Sequence, residues 1–207
     1  MMTNPNGTSQ AALDGGADNA VLIAHALGGD QTAYGALYDR YAPSIYRLCY
    51  SLLLNREDAE DVTQESFVYA FRNLRRYDAR KSAFKTWMFT IAISRCRNQY
   101  RRFMPQLLDI SDLLGLAIAA PRSEQPEAAA ARTSAKETVE AALRRLQPRL
   151  REAVMLRYGH GLTYREIAEV MDCPQKTAES RVRLAHEALR GLLLPVGESL
   201  LQELLAI

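Results

Sequence analysis

The chain has 207 residues, of which 48% are hydrophobic and 24% charged, and this globular balance excludes disorder along the whole length. Its first residues lack the basic start and apolar core of a signal peptide, and its longest apolar run is too short to span a bilayer. Its cysteines and histidines form no CxxC or HExxH motif. We therefore expect a cytoplasmic protein without a metal site or other cofactor.

The small net charge of +2 is divided unevenly. Lys and Arg outnumber Asp and Glu within residues 20–103 and within residues 136–194, whereas acidic residues are in excess in the segments around them. Two basic modules are consistent with a polyanionic partner, because cations gain free energy by displacing counterions from phosphates.

The first module, residues 20–103, follows an N-terminal tail, residues 1–19, that we expect to be disordered. Asp30 is placed to cap a long helix, and Pro43 predicts a joint in that helix. Asn55 is a good N-cap for the next helix, whose first turn is acidic. The face of this second helix that we predict to be buried carries Ala59, Val62, Ser66, Phe67, Ala70, Phe71 and Leu74. The opposite face carries Asp61, Gln64, Glu65, Val68 and Arg72.

On that opposite face, Asp61 and Glu65 are one turn apart, so their carboxylates lie together. A solvated acidic face is the simplest interpretation of such a pair. Val68 beside them makes a mixed patch, however, of the kind that binds partner proteins.

A cationic and aromatic stretch follows. Its cations are Arg75, Arg76, Arg80, Lys81, Lys85, Arg95, Arg97, Arg101 and Arg102, and its aromatic residues are Tyr77, Phe84, Trp87 and Tyr100. Cations that meet phosphates and aromatic faces that stack on bases together favour binding of single-stranded nucleic acid. Phe84 and Trp87 are equally well explained as core residues.

Helical periodicity fades over residues 104–135, where three prolines predict a flexible linker, and resumes over residues 136–194. The C-terminal extension, residues 195–207, fits either a short helix packed on the second module or a regulatory contact. Few segments have the pattern of a strand. The sequence therefore predicts an all-α fold of two small helical domains joined by a flexible linker.

The second module contains a helix-turn-helix pattern. Thr163 and Glu166 have the spacing of a capping box, and Pro174 separates the first helix from the second. The residues predicted to face inward are Ile167, Ala168, Met171, Ala178, Val182, Ala185 and Leu189. The outer side of the second helix is polar and mostly cationic, which indicates DNA binding. The alternative is an ordinary helical hairpin whose charges are solvated.

Three segments in this order, "REDAEDVTQESFVYAFRNL", "AFKTWMFTIAISRCRN" and "LQPRLREAVMLRYGHGLTYREIAEVMDCPQKTAESRVRLAHEAL", resemble a bacterial RNA polymerase sigma factor. The resemblance is to the compact extracytoplasmic-function (ECF) type of the sigma-70 family and covers about residues 20–194. It implies a sigma-2-like domain at residues 20–103 and a sigma-4-like helix-turn-helix domain at residues 136–194.

The resemblance also implies three binding surfaces. The acidic helix resembles the surface that docks on the polymerase clamp, and the matching residues are Asp61, Gln64, Glu65 and Val68. The loop and basic helix after it resemble the part that captures a flipped base of the minus-ten promoter element and tracks the melting DNA. The matching residues there are Arg76, Tyr77, Asp78, Ala79, Arg80, Lys81, Ser82, Arg95, Asn98, Arg101 and Arg102. The helix-turn-helix would read the minus-thirty-five element through Thr163, Gln175, Lys176, Thr177, Glu179, Ser180, Arg181 and Arg183.

The chain departs from the family pattern in its recognition helix, where Glu179, Leu184 and His186 replace usual cations, and each lost phosphate contact weakens binding. The minus-ten loop is one residue longer than the commonest form. For Glu179 two interpretations stay open. Its carboxylate accepts a hydrogen bond from the exocyclic amine of cytosine or adenine, or it pairs with Arg183 one turn on.

The resemblance implies a sigma factor that binds core RNA polymerase, directs it to promoters, melts the minus-ten element and reads the minus-thirty-five element. Its implied partners are core polymerase, promoter DNA and an anti-sigma factor. The alternative, favoured by the weakened recognition helix, is a sigma-like decoy that binds an anti-sigma factor without initiating transcription. No paired catalytic carboxylates, nucleophile motif or phosphate-binding glycine loop supports an enzyme.

Overall fold

The structure, a computed structural model, describes residues 16–103 and 131–193. These residues form eight α-helices with short 3₁₀ and π-helical turns, and the described ranges contain no strand. The all-α prediction is confirmed. The first domain contains α1 (Gly16–Leu27), α2 (Gln31–Leu53), α3 (Arg56–Arg72) and α4 (Phe84–Phe103), and the second contains α5 (Ala131–Arg145), α6 (Pro148–Val154), α7 (Tyr164–Met171) and α8 (Gln175–Leu193).

The helices of the first domain begin where local signals place them. The Asp30 side chain accepts from Thr32 N at 2.8 Å at the start of α2, and the Asn55 side chain accepts from Asp58 N at 3.1 Å at the start of α3. The predicted buried face of α3 is confirmed, with Phe71 partly buried at its margin. Buried Ser66 is accommodated there because its hydroxyl donates to Val62 O at 2.6 Å.

The predicted joint at Pro43 is wrong, because α2 continues through this residue. Proline lacks the N–H that would close the turn, and its ring crowds the carbonyl of Asp39, four residues earlier. Asp39 and Pro43 are both exposed, so this side of α2 faces water, which can hydrogen-bond the carbonyl left without a donor. The buried side chains on both sides of Pro43, Tyr41 and Ile45, keep the helix packed on the core.

Two helices begin before the predicted starts of the domains that contain them. The first helix begins at Gly16, and within it buried Asn19 donates to the Tyr41 hydroxyl and accepts from Arg40 at 2.8 Å, so residues 16–19 are ordered by α2. Likewise α5 begins at Ala131, inside the predicted linker. The rest of the tail, the linker residues 104–130 and the C-terminal extension lie outside the described residues.

The helix-turn-helix of the second domain has the predicted caps. Thr163 N donates to Glu166 Oε2 at 2.8 Å and Glu166 N donates to Thr163 Oγ1 at 3.3 Å, which completes the capping box of α7. Asp172 ends α7 with a left-handed φ of 52°, and Cys173 N donates to Ala168 O at 3.0 Å. All seven residues predicted to face inward are buried.

The two domains pack against each other, chiefly through α4 and α7, and share one hydrophobic core cluster. His160, just before α7, lies with its ring centroid 4.8 Å from that of buried Phe89, and its Nδ1 is 3.4 Å from Ser44 Oγ. Burial first, then the nearby charges of Lys85 and Arg47, lower the pKa of His160 to about 4. The ring is therefore neutral at pH 7, as an apolar interface requires.

Because the two domains pack against each other, limited proteolysis should yield two fragments that remain associated. We expect first cleavage between residues 104 and 134, because the prolines and polar residues there predict an exposed segment. The two resistant fragments should elute together in gel filtration, since the interface between α4 and α7 does not depend on the covalent connection. First cuts inside α2 or α8 would contradict the domain division, and separately eluting fragments would contradict the interface.

Candidate nucleic-acid and protein interfaces

A surface groove runs between α3 and α4. It is lined by Asp61, Gln64, Glu65, Val68, Tyr69, Arg72 and Arg95. All four residues that the resemblance assigned to polymerase binding therefore lie on one surface. Val68 is 50% exposed and Tyr69 40%, so an acidic rim borders two neighbouring exposed apolar side chains.

Tyr69 is the member of this groove that sequence reasoning missed. The guanidinium of Arg95 lies over its ring at 4.7 Å and also approaches Glu65 Oε2 at 3.9 Å. Arg95 was assigned to the minus-ten surface, but the structure places its side chain in the groove, in contact with two residues of α3. A basic residue thus partly screens the acidic rim.

The loop between the 3₁₀ turn Leu74–Arg76 and α4 is organised by Asp78. Its Oδ1 accepts from Arg80 N and Nε, and its Oδ2 accepts from Arg80 Nη2, each at 3.0 Å. The side-chain hydrogen bond from Arg80 is the main reason that the pKa of Asp78 falls to about 2. Arg80 remains 90% exposed, so the loop presents a fixed cation together with exposed Ala79 and Lys81.

An aromatic cluster supports this loop from below. Tyr77, buried Phe84 and Trp87 lie with ring centroids 5.3–5.6 Å apart, and the Tyr77 hydroxyl donates to Ser82 O at 3.1 Å. Tyr77 and Trp87 are half-buried. Phe84 is a core residue and cannot itself stack on a base. It instead packs against the rings of Tyr77 and Trp87.

The cations of the predicted single-strand surface do not all share one environment. Arg75, Arg76, Asn98, Arg101 and Arg102 are exposed. Arg97 instead forms an ion pair with Glu152 of the second domain, with Nη2–Oε2 at 2.7 Å. Tyr100 donates its hydroxyl to Leu52 O. Within the predicted surface, Arg97 and Tyr100 thus serve the packing of the protein.

The outer face of α8 carries the predicted minus-thirty-five residues. Gln175, Lys176, Ser180 and Arg183 are exposed, whereas Thr177, Glu179 and Arg181 are half-buried. Thr163 is exposed at the start of α7, and its hydroxyl donates to Glu166 Oε2 at 2.7 Å within the capping box. Leu184 is also exposed, at 44%.

Glu179 does not pair with Arg183. Its Oε1 accepts from Gln175 Nε2 at 2.9 Å, one turn earlier, and Arg183 Nη1 instead donates to Glu187 Oε1 at 2.7 Å. The ion-pair interpretation of Glu179 is therefore wrong. The hydrogen bond fixes one carboxylate oxygen against the helix surface and leaves the other as an acceptor on the outer face.

Among the described residues, no three His, Cys, Asp or Glu side chains are grouped as a metal ion would require. Cys49 and Cys96 are free and buried, and Cys173 is free and half-buried. Within the described ranges, no helix combines the length and apolar character that a membrane span requires.

Two family models match the chain. Sigma-70 region 2 matches residues 37–103, which include α3 and α4, and Sigma-70, region 4 matches residues 136–189, which include the helix-turn-helix. The first match ends where α4 ends, and the second begins within α5.

Full-length relatives agree with the family models. The chain is 30% identical over 168 residues to "ECF RNA polymerase sigma factor SigW" of Bacillus subtilis, covering 78% of this chain and 89% of the relative. It is 33% identical over 181 residues to "RNA polymerase sigma-H factor" of Pseudomonas aeruginosa, covering 84% of this chain and 93% of the relative. A solved complex of the sigma factor RpoE with the anti-sigma factor NepR from Bartonella quintana has a TM-score of 0.59 and 25% identity, covering 77% of this chain and 96% of that one. Both predicted domains, in the predicted order, are thus matched along nearly the whole length of these relatives, and the chain belongs to the ECF group of the sigma-70 family of RNA polymerase sigma factors.

Proposed function

We propose that this protein is a promoter-specificity subunit, which binds core RNA polymerase in the cytoplasm and directs it to a set of promoters. In this proposal it melts the minus-ten element with the first domain and reads the minus-thirty-five element with the second. It acts by binding alone, with no catalytic step and no cofactor.

The observation that carries the proposal is the groove between α3 and α4. Its acidic rim and its exposed Val68 and Tyr69 combine charge with an apolar centre, which is the composition of a protein-binding surface. A basic, partly apolar partner is complementary to it, and the polymerase clamp implied by the family is such a partner. Asp61, Gln64, Glu65 and Val68 are therefore proposed as its contacts.

The cationic surfaces support the DNA-binding part of the proposal. The loop with Arg80 and Lys81 stands at one end of α4, and exposed Asn98, Arg101 and Arg102 stand at the other. We assign the loop to the flipped minus-ten base and the end of the helix to DNA phosphates. The outer face of α8 is assigned to the major groove.

An anti-sigma factor is the proposed regulatory partner, because a sigma factor of similar fold was solved in complex with one. The same partner defines the rival function, a decoy that binds an anti-sigma factor without initiating transcription. Glu179 and exposed Leu184 on the recognition helix favour this rival, since neither adds to phosphate attraction.

Run-off transcription separates the two functions. Purified protein is added to core polymerase and a library of genomic promoter fragments, and the transcripts are sequenced. A promoter-specificity subunit gives transcripts that start at defined positions downstream of a shared pair of sequence elements. Stable binding to core polymerase without such transcripts would identify a decoy, and no binding to core polymerase would contradict the proposed function.

A further inference from the structure

The contact between the two domains contains a buried ion pair. Arg97 of α4 donates from Nε to Glu152 Oε1 at 2.9 Å and from Nη2 to Glu152 Oε2 at 2.7 Å. The side chains are 21% and 5% exposed, respectively. Two parallel hydrogen bonds between a guanidinium and a carboxylate form a strong and geometrically specific contact. This pair therefore ties α6 of the second domain to α4, beside the main contact between α4 and α7.

A second arginine of α6 reinforces this arrangement. Arg151 donates from Nη1 to Leu52 O and to the Tyr100 hydroxyl, both at 2.7 Å, so it bonds two residues of the first domain. It also donates to carbonyl oxygens of its own domain, at Arg144 and Leu146. Its burial lowers its pKa, and these acceptors offset only part of the desolvation cost, because Arg151 Nε is buried without a hydrogen-bond partner.

This packed arrangement is incompatible with simultaneous reading of both promoter elements. The minus-ten and minus-thirty-five elements lie about 25 base pairs apart, which is roughly 85 Å along B-DNA. A compact body of about 150 residues has a radius of gyration of about 15 Å and measures roughly 40 Å across. The domains must separate before both can bind, and the chain between residues 103 and 131 is long enough to bridge about 90 Å at full extension.

Arg97 also belongs to the cationic face of α4. Arg101 follows it by one helical turn, and Asn98 and Arg102 are adjacent, all three assigned above to promoter DNA. The Glu152 carboxylate thus binds the guanidinium that lies one helical turn before Arg101 on this face. A carboxylate and a backbone phosphate are both oxyanions that accept two hydrogen bonds from one guanidinium.

From these contacts we infer that the packed arrangement is a closed state, in which Glu152 holds Arg97 in place of a promoter phosphate. Arg97 is then a further DNA-binding residue, and its ion pair with Glu152 is the latch between the domains. Opening exchanges the carboxylate for a phosphate, so promoter binding and domain packing compete for the same guanidinium. This inference rests on the proposed function.

Substitutions of Arg97 and of Glu152 should distinguish the contact between the domains from the proposed contact of Arg97 with a phosphate. Glu152→Gln and Arg97→Gln both remove the ion pair, so each should raise the radius of gyration of the full chain, measured by small-angle X-ray scattering, by roughly 20% or more. Arg149→Gln is the matched control. Arg149 Nη1 is 3.5 Å from the same Glu152 oxygen but belongs to α6, so this variant should leave the radius unchanged.

Promoter binding by preformed holoenzyme then distinguishes Arg97 from Glu152. Arg97→Gln should weaken binding about fivefold and reduce the slope of log K against log salt by about 0.7–0.9, the value of one phosphate contact. Arg97→Lys should keep that slope while still opening the latch, because lysine retains the charge but not the two-pronged geometry. Glu152→Gln should bind the promoter as the unmodified protein does.

Two results would overturn the inference. An unchanged radius of gyration in both Glu152→Gln and Arg97→Gln would show that the ion pair holds no closed state. A wild-type salt slope in Arg97→Gln would show that Arg97 contacts no phosphate. Circular dichroism establishes that each variant is folded. If Glu152→Gln does not fold, the radius of gyration of Arg97→Lys tests whether the ion pair holds the domains together. Failure of the proposed function itself would be seen separately, as absence of holoenzyme with the unmodified chain.

Discussion

Reversing the two carboxylates of the groove, Asp61→Arg with Glu65→Arg, should weaken binding to core polymerase by roughly 30- to 700-fold. The surface that docks there is expected to be basic, so the double variant brings like charges together at an interface, at a cost of about 2–4 kcal/mol. A fluorescence titration of labelled protein with core polymerase measures the change.

The fold should tolerate this change. Both residues are exposed, and the Glu65–Arg95 contact at 3.9 Å joins side chains that are 53% and 31% exposed. Exposed ion pairs of this kind contribute at most about 1 kcal/mol. The free energy of unfolding should therefore change by no more than about 1 kcal/mol, as measured by urea denaturation.

A control with the same change in net charge separates the local effect from the global one. Asp39 and Glu169 are exposed carboxylates outside the proposed sites, so Asp39→Arg with Glu169→Arg should retain core binding within about threefold. Equal core affinity of the groove variant and the unmodified protein would remove the groove from the proposed polymerase contacts.

Substitution of Glu179 should change which base pair is preferred at one position of the minus-thirty-five element. Gln175 fixes one oxygen of Glu179, and the other remains an acceptor on the outer face of α8. In the major groove such an acceptor suits the exocyclic amine of cytosine or adenine, with a discrimination of about 1–3 kcal/mol. A binding-site selection with the unmodified protein, Glu179→Gln and Glu179→Lys measures this preference.

Glu187→Lys provides the matched control on the same helix. Glu187 also makes a hydrogen bond to a residue one turn earlier, Arg183, and carries the same charge two turns further along α8. Its replacement should raise affinity for all sequences alike, because it removes one anion and frees one cation without touching a base. If Glu179→Lys behaves in the same way, with a uniform gain and a flat preference, Glu179 does not read a base.

The sequence determined where most helices begin and which faces they bury. The caps at Asp30 and Asn55 and the capping box at Thr163 act over two or three residues, so they are visible locally. The periodic apolar positions of α3 and α8 become buried faces because helix geometry alone brings them to one side. The shared acidic patch of Asp61 and Glu65 follows from the same geometry.

Predictions from local sequence patterns were wrong or incomplete where contacts between distant residues determine the structure. Pro43 by itself predicts a break, but the core contacts of the residues around it keep α2 continuous. The first helix begins at Gly16, where Asn19 donates a hydrogen bond to Tyr41, 22 residues later in the sequence. No pattern within the tail predicts that contact. The site residue Tyr69 was missed because its partner Arg95 comes from a different helix.

The sequence by itself determined the family, the two helical domains and the likeness of each surface to a known binding role. Only the tertiary structure decided how the domains meet. Arg97 counts as one more cation in the sequence, but it pairs with Glu152 at a separation of 55 positions. The packing of the two domains brings the pair together, because an exposed ion pair contributes at most about 1 kcal/mol and cannot by itself join two domains. The role of Arg97 in the domain contact therefore depends on the packing of α4 against the second domain. No local sequence pattern predicts that packing.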